Sequence, residues 1–445
     1  MEAIRFRDLG PVGDGASCVE HRRNAPVNRP PSAAPAGTKP EDPADGAPVR
    51  FDPDRVPAVD VLRGFALLGV CMVNAPVIAG AWNLGSQPGA AFADRLAAWL
   101  VTALFTSKFY LLFAFLFGYS FTLQMHAADR DRAPFKRRVG RRLLGLFLFG
   151  LAHAVLLYPG DILMTYAVLG LVLFAARGLR THTALRIAAL LVLFLTVVFL
   201  AVGVLALTVD DPGRGATTAS TARVTAAYRG DPLSVVLTNV RLYRAALGSA
   251  VLYSGHLLAA FLVGFAAGRH RLLERHGVPA RRARAVIRRL LVAGLLIGVP
   301  GSVFTAMCAY GPLDSRLYYF GQAAGILTAP ALATAYGCAL LILQQKRVGQ
   351  WLRLFLGSAG RMSLSNYLTQ SLVLAFVFTG YGLGWYGRVG PAVLVFGCLV
   401  LYVLQLAVCA WLMTRFRYGP AELLLRRVTS GRRGIRPARR NVPGT

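Results

Sequence analysis

The chain has 445 residues, 55% of them hydrophobic, with a mean hydropathy of +0.51, a formal net charge of +29 and a sequence pI of about 11.0. So apolar a composition excludes an ordinary soluble domain and fits a polytopic membrane protein. The positive charge does not point to nucleic acid, because the basic residues stand in short blocks between apolar runs, as in cytoplasmic loops of membrane proteins.

Residues 1–55 are rich in Pro, Ala, Gly and charge, a composition that predicts a disordered cytoplasmic leader. No apolar stretch precedes the first span, so a cleaved signal peptide is not expected. Ten apolar segments follow, each near the roughly 20 residues that a bilayer requires. They cover about 57–80, 103–125, 140–158, 161–177, 184–208, 248–268, 287–308, 319–344, 363–381 and 391–414. Residues 91–102 read as a separate helix at the interface. "YPGD" joins the third and fourth spans into a tight hairpin. The stretch of about 209–247 reads as a long outer loop, and 431–445 as a basic cytoplasmic tail. The predicted fold is therefore all-α, a polytopic membrane helix bundle of about ten transmembrane helices over residues 56–430.

Charge orients the spans. Arg137, Arg138, Arg141 and Arg142 precede the third span. Arg281, Arg282, Arg284, Arg288 and Arg289 separate the sixth from the seventh, and Lys346, Arg347, Arg353 and Arg361 follow the eighth. The intervening short loops hold little more than Arg95, Arg316 and Arg388. This alternation puts both termini in the cytoplasm. Asp60 and Arg63 then lie near the cytoplasmic mouth of the first helix, on one face because they are three residues apart, and Gly64 leaves room for another helix. Asn74, Lys108 and His256 fall in outer halves of their helices, His153 lies at or beyond mid-depth, and Asp161 opens the fourth span at the outer surface. Asn366 and Gln370 share a face in the inner to middle part of the ninth.

Ionisable groups at such depths usually face an interior cavity rather than lipid. Each also has a plainer reading. Asp60 and Arg63 can anchor the first helix, Lys108 can snorkel to the outer headgroups, and His153 and His256 can be satisfied interior histidines. Asp161 can cap the fourth helix, and Asn366 and Gln370 can join helices by hydrogen bonds. The six cysteines, Cys18, Cys71, Cys308, Cys338, Cys398 and Cys409, form no C-x-x-C pair, and no His or Cys cluster has metal-ligand spacing, so neither disulfides nor a metal is expected. "GLGWYG" at 382–387 matches G-x-G-x-x-G but lies between helices with no preceding strand, which removes the dinucleotide reading.

"DVLRGFALLGVCMVN" at 60–74 resembles the opening helix of the YeiB family, the bacterial inner-membrane group known as domain of unknown function 418. "SKFYLLFAFLFGYSF" at 107–121, "RRLLGLFLFGLAHAVLLYPGDILMTYAVLG" at 141–170, "AGRMSLSNYLTQS" at 359–371 and "RFRYGPAELLLRRVT" at 415–429 continue the resemblance in family order, with the C-terminal family region at about 250–430. Leu423 departs from the family's usual tryptophan. The resemblance implies a bacterial plasma-membrane, multi-pass location. More distantly, the chain is similar to the membrane acyltransferases, the acyltransferase-3 proteins and the heparan glucosaminide N-acetyltransferase group. The latter also opens with Asp-x-x-Arg-Gly and a later Asn, as Asp60, Arg63, Gly64 and Asn74 do. That likeness implies acyl transfer from a cytoplasmic thioester such as acyl-coenzyme A, as donor substrate rather than bound cofactor, to a lipid or glycan acceptor across the bilayer. The heparan group's histidine between its first two helices has no counterpart between Asn74 and Lys108.

On this reading Arg63 receives an anionic donor with its planar fork of donors, and Asp60 holds it in place. His153 is the base, since its ordinary pKa lies near neutrality, and Asp161 orients it. Lys108 binds an acidic acceptor or stabilises developing negative charge. Asn74, His256, Asn366 and Gln370 complete the candidate substrate-binding set. A permease or exporter of a small amphiphile or lipid is the alternative, its path lined by the same groups, and a non-catalytic membrane partner is the third reading.

Overall fold

In hydrocarbon no water satisfies the backbone, so a chain of apolar runs has to close its hydrogen bonds within each segment. The computed structural model describes residues 56–81, 90–130, 135–208, 214–274 and 280–430. The leader expected over 1–55 and the tail expected over 431–445 lie outside the described residues. Among those residues the regular structure is entirely helical: α1 (Pro57–Ile78), α2 (Phe92–Leu104), α3 (Lys108–Arg130), α4 (Phe135–Leu156), α5 (Leu163–Ala175), α6 (Thr181–Thr208), α7 (Arg214–Arg229), α8 (Pro232–Arg269), α9 (Ala280–Tyr310), α10 (Tyr318–Leu343), α11 (Gly349–Arg361), α12 (Ser363–Phe378), α13 (Pro391–Arg415) and α14 (Pro420–Ser430).

Eight helices, counting α2 and α3 as one run, are long and apolar enough to cross a membrane among the described residues. Their outward faces are those of a bilayer protein. Leu190, Phe194 and Leu205 on α6 are each more than 60% exposed, and α9 and α13 expose Leu296, Val393 and Phe396 in the same way. Contiguous apolar surface on this scale requires a cover. The chain is thus an all-α polytopic membrane bundle.

The ten expected segments are all helical, but two are shorter than the count of ten spans assumed. α5 has 13 residues, because Asp161 starts it and a 3₁₀ turn ends it at Gly178. α12 has 16, because the chain breaks at Met362, where α11 ends. α5 lies antiparallel to α4, with Gly150 against Met164 at one end and Gly170 against Leu143 nearer the other. α12 starts beside Gly360, which touches Asp60, and its end, Phe378, clusters with Ile78.

One further expectation changes. The long outer loop of 209–247 is instead mostly helical: α7 occupies part of it, and α8 starts at Pro232 rather than near 248. The Asp231 carboxylate accepts from Ser234 N at 2.9 Å and Pro232 sets the first turn, a strong helix start. Val235 and Asn239 then face inward while Arg241 and Arg244 are exposed, a two-faced pattern that hydropathy alone does not register. α11 and α14 are likewise amphipathic helices that a search for apolar runs misses.

Two helix crossings position the site. Between α3 and α8, Gly118 meets the Phe261 carbonyl and Gly264 meets the Phe115 carbonyl, so the two backbones touch reciprocally. Between α1 and α11, Gly64 meets the Leu356 carbonyl and Gly360 meets the Asp60 carbonyl. The main core lies between, drawing Leu67 and Val70 of α1, Tyr166 of α5, Phe261 and Phe265 of α8 and Tyr367 of α12 into one cluster.

Candidate functional site

α1 presents Val56, Val59, Asp60, Arg63, Leu67 and Val70 to one cavity of about 340 Å³. These positions recur at helical spacing, so the cavity follows one face of α1 for about 21 Å at 1.5 Å per residue. α3, α4, α5, α12 and α14 supply the other walls through Phe113, Phe117, Ser120, Arg142, Leu146, Ile162, Tyr166, Tyr367 and Glu422. The end near Val56 is charged, with Asp60, Arg63, Arg361 and Glu422, while Val70, Ile162, Tyr166 and Tyr367 line the apolar end.

Asp60 and Arg63 do pair, at 3.7 Å, and the Arg63 guanidinium also donates to the Ser120 hydroxyl. The Ser120 hydroxyl in turn donates to the Leu116 carbonyl at 2.6 Å. Arg142 extends over the Phe117 ring, 5.7 Å from its centre, a contact that favours a cation. Glu422 is occupied differently. Its carboxylate accepts from Leu364 N at 2.7 Å, from Ser365 N at 3.1 Å and from the Ser365 hydroxyl at 2.5 Å. It thereby satisfies the first free N–H groups of α12. Three guanidinium groups, of Arg63, Arg142 and Arg361, therefore line the cavity with two carboxylates, of Asp60 and Glu422.

His153 and Asp161 come together across the α4–α5 hairpin. His153 Nδ1 lies 2.9 Å from Asp161 Oδ1, a close contact outside in-line hydrogen-bond geometry, and neither side chain has exposed surface. The other carboxylate oxygen accepts from Met164 N at 2.7 Å, so Asp161 caps α5 as well. Asp161 thus opens α5 at the hairpin turn, as expected, but it is buried there against His153 rather than open to solvent. Neither residue lines the cavity.

The remaining candidates are elsewhere. The Lys108 ammonium is buried and donates to the Thr102 carbonyl of α2 at 3.0 Å, so it does not snorkel. His256 is buried on α8 with its ring near the Ile326 backbone. Asn74 is half-buried on α1. Asn366 and Gln370 join α12 to α13: Gln370 donates to Gln405 at 2.9 Å, Gln405 donates to the Asn366 carbonyl at 3.2 Å, and Asn366 donates to Cys409 Sγ at 3.1 Å. None of these five lines the cavity. Conversely, Arg142, Ser120, Tyr367 and Glu422 were not singled out from the sequence. Arg142 is hidden in a basic block that reads as a topology signal, and Glu422 and Tyr367 stand only within longer motifs. Among the described residues no group of His, Cys, Asp and Glu is arranged to hold a metal.

These features define the class: a polytopic α-helical membrane protein with a charged-mouthed interior cavity. Residues 267–432 match the family described as "Protein of unknown function (DUF418)". The chain is 31% identical over 401 residues to the uncharacterized protein YxaH of Bacillus subtilis, covering 84% of this chain and 94% of that one. It is 26% identical over 393 residues to the uncharacterized protein YeiB of Escherichia coli, covering 84% and 96%. An uncharacterized 39.9 kDa protein of Bacillus acidopullulyticus is 26% identical over 396 residues. The chain belongs to the DUF418 family, as its motifs indicated.

Proposed function

We propose that this protein is an acyltransferase of the bacterial plasma membrane that takes an acyl group from a cytoplasmic thioester and passes it to a lipid or glycan acceptor. The observation that carries this reading is the cavity along α1, where Arg63, Arg142 and Arg361 surround one end and apolar side chains line the other. Guanidinium groups match phosphate or carboxylate oxygens in pairs, and the apolar length suits an acyl chain. An acyl-coenzyme A donor has both parts. His153, held by Asp161, takes the proton from the acceptor hydroxyl or amine as that atom bonds to the acyl carbon. The thioester C–S bond breaks, and the thiol leaves with a proton.

Thermal stabilisation of the purified protein by a panel of acyl-coenzyme A species tests donor binding, since a ligand that binds only the folded state raises its stability. Arg63→Lys should weaken that binding, because a point charge replaces a planar fork. His153→Ala should retain binding and lose turnover by about 10²–10⁴-fold. A wild type that binds no acyl thioester, or a His153→Ala protein with full turnover, overturns the reading. One observation favours the permease alternative: the His153–Asp161 pair is sealed off from the cavity. Movement of an amphiphile without thioester consumption would decide for it.

A further inference from the structure

A single aromatic ring spans the gap between the cavity and the buried pair. Tyr367, 4% exposed, lines the apolar end of the cavity. Its ring also lies 4.8 Å from the His153 imidazole, inclined at 39°. Tyr158 closes another side of the imidazole edge-on at 6.1 Å. Ile162 and Leu163 complete the cavity wall here, but they belong to the first turn of α5, which Asp161 itself pins through Met164 N. Tyr367 differs in kind. Its hydroxyl points toward the Ile162 backbone without an in-line hydrogen bond, and the imidazole Nε2 has no hydrogen-bond partner among the described residues. Buried polar atoms are normally satisfied, and two adjacent exceptions require a reason.

We propose that Tyr367 is the positioning residue of this site: its ring packs at a tilt against His153 to hold the imidazole and closes the His153–Asp161 pair from the cavity, so that a cavity occupant reaches His153 only when the ring swings aside. The identity of the occupant rests on the acyl-transfer reading; the partition does not. A wall made of side chain rather than backbone opens by rotation about two bonds and leaves α12 in place. The two unsatisfied groups then mark positions that an occupant's polar atoms complete.

Diethyl pyrocarbonate, which acylates accessible imidazole nitrogen, tests this on the purified full-length protein with peptide mapping of each histidine. In the wild type His153 should resist modification while exposed His182 reacts. Tyr367→Ala should raise the His153 rate at least about tenfold, since the cavity then meets the imidazole without local opening. Tyr367→Phe keeps the ring and should keep the protection. His256, buried elsewhere, should be unchanged throughout. Equal His153 rates in wild type and Tyr367→Ala, or equal exposure by Tyr367→Phe and Tyr367→Ala, overturns the proposal. If Tyr367→Ala does not fold, Tyr367→Leu removes the ring with an apolar filling and carries the same expectation. Failure of thioester binding would remove the acyltransferase reading and leave this result standing, and the reverse holds equally.

Discussion

Replacing Gly64 by alanine tests how the mouth of the cavity is built. A Cβ at Gly64 would lie 2.0 Å from the Leu356 carbonyl oxygen, and one at Gly360 would lie 1.8 Å from the Asp60 carbonyl oxygen. Real contacts of this type begin at about 3.0 Å, so α11 would have to retreat from α1 by roughly 1 Å. The obstacle is backbone, which cannot rotate away. The cost therefore belongs at the upper end of the range for overpacking, about 3 kcal/mol. Alanine recovers about 0.5–1 kcal/mol of helix propensity, leaving a net loss of about 2 kcal/mol. Gly397 is the matched control. It is also helical, but on the outward face of α13 with nothing within 4 Å of its added Cβ. Gly397→Ala should stabilise by about 0.5–1 kcal/mol. Fluorescence-monitored thermal unfolding in detergent should move the two variants in opposite directions from wild type. Asp60 and Arg63 stand on the displaced turn, so Gly64→Ala should also weaken whatever binds at Arg63. A Gly64→Ala protein as stable as wild type would refute the close crossing.

Four other perturbations follow from the same contacts. Asp161→Ala leaves both His153 and Met164 N without their partner and should cost about 2–4 kcal/mol, the penalty of buried polar groups left unsatisfied; Asp161→Asn, which can still accept from Met164 N, should cost clearly less in the same unfolding assay. Glu422→Ala removes three hydrogen bonds at the start of α12 and should cost about 2 kcal/mol, near the top of the range for lost caps, with protease sensitivity increased at α14. Lys108→Met keeps the stem and removes a buried ammonium held by one carbonyl. It should be neutral or stabilising if the charge has no structural part, and marked destabilisation would show that α2 depends on it. Reporters fused after Gly178 and after Tyr386 should read cytoplasm and exterior respectively; the reverse pattern would invert every depth assigned above.

Hydropathy located the helices well where they are apolar all round, as in α6 and α13, and poorly where only one face is apolar. α11 packs on α1 through Leu356, Gly357 and Gly360, and exposes Trp351 and Arg353. Its average is therefore unremarkable, although its inner face makes the closest backbone contact with the first helix. The α7–α8 region reads as loop in the sequence for the same reason. Segment length also misled. α5 and α12 are apolar throughout but shorter than the expected segments, which ran on into the hairpin turn and past Phe378. A cap and a backbone break, which hydropathy does not measure, set their ends.

The site divides along similar lines. Asp60–Arg63 is a pairing within one helix turn, so spacing alone supplied it. His153–Asp161 needed only the tight hairpin, because a short turn brings residues eight apart to the same level on adjacent helices. Asn366 and Gln370 look equally good by depth, yet their amides are consumed by α13, whose Gln405 and Cys409 carried no signal of their own. Depth ranks polar residues by how costly they are to bury, but it does not say which neighbour meets that cost. Arg142 shows the converse. Positive-inside counting treats every arginine in a block as equivalent, whereas Arg138 and Arg141 are exposed and Arg142, one residue further round the helix, turns onto Phe117 and the cavity. The cationic wall opposite Arg63 therefore arises from helix phase, and periodicity within a basic block is the signal that would have found it.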